Sequence, residues 1–429
     1  MKPSRGVTAW PMPLLSVVLP AAAIMAVVAS GLVGLFDRPV GWPRVSAAVH
    51  DQLLLAGPIA TMASFFYCAN LAGRRALLAL PTATRVGHVS VLRSFRLLWT
   101  WMLSAYLLPF VPLFGYLTAR ATYGGIDVLA ALAGPVGMGL AVALGCALGT
   151  ALPNPVLAPA AAVLVFLLFQ LPNVAEPAAA AFVPTLGHSP VTLGEAENPL
   201  FVAYRLVAML VLTASALGVA GLVARRVPPR EFVSWRTAGA LSAVVVLLAV
   251  PLTNPPRAVI AEDAPPRACR SVEGVEVCLH EGHRGMLDTA VPVVRALVDA
   301  YGGRPDHLTA VHGTGLNTPD HATVAEFTPY TTGPLESSIA LSVSVHLAGL
   351  GSCHRALRSG RISYPQYQAR SAERYPLASW LRRQAGVSGE RVPASAGGFL
   401  DGAEAAQVRS WLAAQERRLA HCEPLPGVA

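Results

Sequence analysis

The sequence predicts an α-helical polytopic membrane protein of about seven transmembrane helices, N-terminus inside and C-terminus outside, followed by a small α+β extracytoplasmic domain. Three observations predict it. The chain is 54% hydrophobic and 13% charged, with a mean hydropathy of +0.51, a composition of membrane proteins rather than soluble globules. Apolar runs, almost all charge-free, recur through residues 1–254, near the roughly 20 residues that cross a hydrocarbon core of about 30 Å. Finally, the cationic residues are segregated between alternate connections, as cytoplasmic retention of Lys and Arg requires.

The spans are read at 14–36, 53–72, 97–119, 128–148, 156–171, 200–224 and 237–252. Residues 1–13 form a short basic head. The apolar run behind it is 23 residues long, beyond the roughly 7–15 of a cleavable signal peptide, so it is expected to be a retained helix. Residues 37–52 return as a short loop, with Trp42 and His50 suited to an interface. Residues 74–96 carry five arginines and no acid, which fixes this connection inside. Span 97–119 opens on Trp99 and Trp101, fit for an interfacial belt, and Pro109 and Pro112 are expected to kink it. Span 128–148 is rich in small residues, and Gly145 and Gly149 have the spacing that lets helix backbones approach closely. Residues 172–199 hold three glutamates and no basic residue, an outer segment. Arg205, near the outer end of the sixth span, is expected to snorkel to the interface. Counted outside the spans, the inner segments hold 11 Lys+Arg and the outer ones 3.

From Pro255 the composition changes. A Pro-rich tether, 255–268, leads to the domain at 269–429. Four of the six cysteines fall there: Cys269, Cys278, Cys353 and Cys422. An even number outside the membrane is what disulfides produce. Of three pairings, Cys269–Cys278 with Cys353–Cys422 is preferred, the first clipping a hairpin about Glu273-Gly274. Helices are expected over 284–301, stopped by Gly302-Gly303, over 335–358, over about 364–385, and after Asp401, which forms a capping-box pattern with Glu404.

The net charge of +8 is a topology signal: residues 1–255 hold 15 Lys+Arg against 7 Asp+Glu, and 256–429 hold 17 of each. Nucleic acid is therefore not an expected partner. No GxxxxGK[ST] occurs, so active transport would need a separate ATPase. No acid or histidine falls mid-span, which argues against ion-coupled carriage. His280, Glu281 and His283 form H-E-x-H, one residue short of the zinc motif H-E-x-x-H. They are the candidates for a metal site, and the expectation is none. His307, His312, His321, His346, His354 and His421 show no ligand spacing, and Ser337, Ser342 and Ser344 lie in no nucleophile elbow. No enzyme activity and no cofactor are expected.

Residues 1–225, and above all LLLAGPIATMASFFYCANLAGRRALLALPTATR, resemble the permease subunits of type-2 ABC exporters. The resemblance implies an ATPase-coupling segment near Arg74, Arg75, Arg85 and Arg93, a separate ATPase partner, and a homo- or heterodimer in the plasma membrane. A seventh span and an outer domain depart from the minimal permease. The whole arrangement is similar to a group of bacterial multi-span proteins whose C-terminal domain begins with a motif matched here by CRSVEGVEVCLHEGHR (269–284). The alternative expectation is a non-transporting membrane protein that displays its outer domain for binding or sensing.

Overall fold

The computed structural model describes residues 14–36, 41–73, 86–121, 123–174, 180–186, 190, 192–224, 257–316, 323–328, 334–387, 400 and 403–426. The chain divides into two compact units. The first, helical unit comprises residues 1–121, 125–190 and 196–260; the second comprises 122–124, 191–195 and 261–429.

The helical unit contains α1 (Leu14–Val33), α2 (Trp42–Asp51), α3 (Leu53–Gly73), α4 (Val86–Leu107), α5 (Phe110–Arg120), α6 (Val128–Ala151), α7 (Ala158–Val174) and α8 (Pro199–Ala224). Among the described residues, three helices are long and apolar enough to cross a membrane: Trp42–Ala72, Val128–Ala151 and Pro199–Ala224. A fourth span arises if His88–Leu107 and Phe110–Arg120, bent by 41°, are one. The bend falls at Pro109, which takes the N-cap position of α5. Proline lacks the N–H that would continue the α4 ladder, so the chain restarts there. Apolar helices Val17–Val33 and Pro155–Leu171 are shorter. Residues 225–256, with the expected seventh span, lie outside the described residues.

The chain at 42–51 is helical rather than the expected loop. Trp42 and His50 are buried within it rather than set in an interface. Pro43 at the start of α2 has its φ preset for a first turn and sacrifices only an N–H that a first turn leaves orphaned. Trp99 stacks on Phe95 and donates from Nε1 to the Pro135 carbonyl at 3.2 Å, so it is a packing residue; Trp101 is exposed.

Helix α3 packs chiefly on α6, and the glycines of α6 set that distance. A Cβ on Gly145 would stand 2.5 Å from the Thr61 carbonyl oxygen, and one on Gly149 would strike the Phe65 carbonyl. Backbone cannot yield as a side-chain tip can. Gly149→Val is therefore expected to cost about 1–3 kcal/mol through overpacking. The check is thermal melting beside Gly218→Val on α8, where a Cβ meets nothing within 4 Å among the described residues; equal melts would refute the close approach.

In the second unit, β3 (Arg267–Val272) and β4 (Val275–His280) form the expected hairpin. Glu273 and Gly274 both take positive φ (49° and 79°), as a two-residue turn matching strand twist requires. The last two residues of the expected tether are thus already strand, and the short strands β1 (Glu195–Glu197) and β2 (Val259–Ala261) pair with one another. β5 (Ala310–Gly313) and β6 (Val324–Phe327) add in parallel, giving the order β3-β4-β5-β6. All four residues of β5 are buried, the continuous pattern of an inner parallel strand.

Helix α9 (Leu287–Tyr301) lays Leu287, Ala290, Val294, Leu297, Val298 and Tyr301 into the core at three- and four-residue spacing and ends at Gly302. Residues 284–286, expected to open this helix, belong instead to a 3-10 turn over Glu281–Met286. The single helix expected over 335–358 is two, α10 (Leu335–Leu347) and α11 (Leu350–Arg358). Gly349 breaks it with φ 78°, and a Cβ there would meet the Leu419 carbonyl at 2.6 Å. Two further helices, α12 (Tyr364–Gln384) and α13 (Ala405–His421), close the core with Leu377, Trp380, Val408 and Leu412. The Asp401–Glu404 box does not start α13: Glu404 is itself the N-cap residue and makes no side-chain cap bond, and Asp401 lies outside the described residues. The box occurs instead at Ser363 and Gln366, opening α12.

Candidate functional site

Of the residues expected to couple an ATPase, Arg74, Arg75 and Arg85 lie outside the described residues. Arg93 is exposed on the second turn of α4, one turn before the equally exposed Arg96.

The four outer cysteines stand in two bonded pairs, Cys269–Cys278 and Cys353–Cys422. The first joins directly opposed residues of the hairpin. The second closes a separation of 69 residues against 9 for the first. Loop-closure entropy therefore makes it the stronger constraint on the unfolded chain, by roughly 2 kcal/mol. Beside it, Arg374 of α12 is fully buried and donates from Nη2 to the Glu423 carbonyl at 2.7 Å and from Nη1 to the Arg370 carbonyl at 3.2 Å. Glu373 accepts from the Leu425 amide at 3.1 Å. Burial lowers the guanidinium of Arg374 to about 10, still well above neutral pH, so at neutral pH it remains a cationic staple on the chain's end.

His280, Glu281 and His283 do not share a helical face. His280 ends β4 and its Nδ1 accepts from the Gly282 amide at 3.1 Å. Its ring meets the edge of Tyr123 at 4.6 Å, and the His283 ring is 6.4 Å away. Desolvation lowers His280, and lowers the buried His283 to about 4, with the neighbouring His280 adding to the shift. Among the described residues the close trio of ligand-type side chains is Cys269, Glu276 and Cys278, whose sulfurs are bonded to each other. His307 and His346 face one another as stacked rings 6.3 Å apart. Each donates from Nε2 across the pair, His307 to the Leu347 carbonyl at 3.2 Å and His346 to the His307 carbonyl at 3.0 Å. Burial lowers both, His346 to about 4. These histidines hold backbone ends together in their neutral form.

The concentrated chemistry lies in the helical unit. His50 at the end of α2, Glu197 at the end of β1 and Arg205 in the second turn of α8 are buried to within 2% of complete. His50 Nε2 is 2.6 Å from Glu197 Oε1, and Arg205 Nη2 donates to Glu197 Oε2 at 3.3 Å. Asp51 adds a second carboxylate 3.0 Å from His50 Nδ1, with its side chain one-third exposed. Among the described residues Arg205 Nε and Nη1 have no hydrogen-bond partner, and the Phe201 ring faces the guanidinium carbon at 5.8 Å. Backbone packing fixes the frame. Tyr106 of α4 donates its hydroxyl to the Val49 carbonyl, and a Cβ on Gly134 of α6 would stand 2.5 Å from that oxygen.

Arg205 therefore does not snorkel; it turns inward to an acid. A buried ion with donors left over is costly unless its partners are held for it, and ionisable groups kept inside a span mark functional sites. Reading His50 and Glu197 as loop residues hid the cluster. One signal was available: a lone arginine inside a span demands a carboxylate, and Glu197 lies eight residues before it, with His50-Asp51 heading another span. Compared with known protein families, curated proteins and solved structures, the chain matches none.

Proposed function

We propose that the chain is the membrane-spanning permease subunit of an ABC-type exporter, driven by a separate ATPase. On this reading it crosses the plasma membrane seven times, N-terminus inside and C-terminal unit outside, as a homo- or heterodimer, and is not itself an enzyme. The observation that carries the reading is the connection between α3 and α4: five arginines without an acid in residues 74–96, of which Arg93 and Arg96 project from the start of α4. A cationic surface between two long apolar helices suits an inner-face contact with a partner. The helices gathered in one unit give the partner something to move.

The test is affinity purification of the tagged full chain in mild detergent. A stoichiometric P-loop ATPase is expected with it, lost on Arg74→Glu with Arg75→Glu while membrane insertion persists. Retention of the ATPase by that variant would remove the coupling role.

One observation favours a second reading, a membrane protein that displays its outer unit for binding or sensing. That unit has a core of its own, from Val277 and Leu279 to Trp380 and Leu412, and two disulfides. Repeated absence of an ATPase from the purified chain would favour it.

A further inference from the structure

The two disulfides of the second unit have different surroundings. Side chains along β3 and β4 alternate between the faces of the sheet. Ala268, Val272, Val275, Val277 and Leu279 enter the core beside α9, and Cys269 and Cys278 lie on the opposite face. Their bond therefore lies outside the core that its strands border. Cys353–Cys422 is the reverse case: both cysteines are buried, in a cluster with Ala356 against which Ile362 and Tyr367 pack.

The backbone ladder does not depend on the first bond. Counted from the two-residue turn at Glu273-Gly274, Val272 and Val275 close the ladder, and alternation makes Cys269 and Cys278 a non-hydrogen-bonded pair. Their Cα atoms, 4.1 Å apart, have the close spacing of such a pair. Opening the disulfide removes no ladder bond, and β5 holds β4 from its other side. Access to the two sulfurs is uneven. Strand β3 ends the sheet order and Cys269 on it is exposed, whereas Cys278 on the inner strand β4 is 2% exposed. Displacement at sulfur runs along the S–S axis. The line from Cys278 through Cys269 crosses β3 and leaves over the sheet edge. The reverse line runs towards β5, where His312 is the residue in register with Cys278.

We propose that Cys269–Cys278 is a thiol-exchange site for a small external thiol, with Cys269 the sulfur attacked and Cys278 the leaving and resolving thiol; Cys353–Cys422 is the structural bond. The incoming thiolate forms a new S–S bond to Cys269 Sγ. The Cys269–Cys278 bond breaks, and its electron pair leaves on Cys278 Sγ as a thiolate. Two exits follow. Cys278 attacks Cys269 and expels the thiol, which restores the disulfide. Otherwise a second external thiolate attacks the bound thiol's own sulfur and releases Cys269 as a thiolate. The two protein sulfurs then take up the protons that the two thiols lost, so the protein disulfide becomes a dithiol as two thiols become one disulfide. The site belongs to the second unit alone and stands whichever role the helical unit plays.

The experiment uses the full chain in lipid nanodiscs at pH 8, exposed to millimolar reduced glutathione, trapped at intervals with iodoacetamide and mapped by mass spectrometry. Cys269 and Cys278 should open at least about tenfold sooner than Cys353 and Cys422, because only the first pair offers an accessible sulfur. The persisting Cys353–Cys422 bond reports that the unit is still folded when the first pair opens. With oxidised glutathione, Cys278→Ser should capture glutathione on Cys269 at least about tenfold faster than Cys269→Ser captures it on Cys278. Failure of the Cys269–Cys278 pair to open in the unaltered chain would overturn the proposal, as would the two disulfides opening together. So would faster capture by Cys278 than by Cys269.

Discussion

Replacing Arg205 with methionine is expected to lower the melting temperature of the helical unit by on the order of 10 °C. The guanidinium is fully buried and its one hydrogen-bonded partner among the described residues is Glu197. Removing it strands a buried carboxylate, and breaking a buried pair from one side costs about 3–5 kcal/mol. At roughly 2–4 °C per kcal/mol for a unit of this size, the shift is well outside measurement error. Methionine keeps the volume and apolar stem, so the loss reports charge rather than packing. Glu197→Gln should cost a similar amount, since it leaves the guanidinium without its counter-ion. The pair Glu197→Gln with Arg205→Met should recover most of the loss, because neither charge then remains. Thermal melts of the full chain by circular dichroism, read as a double-mutant cycle, check this. A single Arg205→Met melting within a degree or two of the parent would show that the guanidinium escapes to water, the snorkelled arrangement.

Local signals along the chain were strong wherever one residue decides the backbone. Glu273-Gly274 marks the hairpin, Gly302 stops α9, and Pro109 breaks the helix between α4 and α5, all legible because glycine and proline act through their own φ. Apolar runs marked α3, α6 and α8, since a span is set by length and hydropathy alone. What failed to show depends on partners distant in sequence. Gly349 breaks a helix because the Leu419 carbonyl arrives there from α13. Arg374 is buried because the chain's end returns over it. His50 and Glu197 are 147 residues apart, and neither has any mark of its own that separates a buried ion from a loop residue. Charge balance is the one long-range rule a sequence offers, and only Arg205 invoked it.

The second unit is expected to lose stability steeply as pH falls from 6.5 towards 4. His283 and His346 are both held near 4 by burial, each with a second push from a neighbouring ring, against an unfolded value of 6.5. Between those two values the unfolded chain binds protons that the folded unit refuses, so stability rises with pH there. The contribution is fully present above 6.5 and is lost as pH falls through the folded values. Each shift of about 2.5 units is worth roughly 3 kcal/mol in total. By pH 5 about two-thirds of that has gone, near 4 kcal/mol for the pair, a large share of the 5–15 kcal/mol that holds a typical domain. Hydrogen exchange of the full chain in nanodiscs, corrected for intrinsic rates, should show protection across β4, β5 and α9 falling nearly a thousandfold from pH 7.5 to pH 5. His346→Gln keeps a donor for the His307 carbonyl and should halve the logarithm of that fall. Unchanged protection at pH 5 would mean that the two rings reach water, and that their burial in this fold is not maintained.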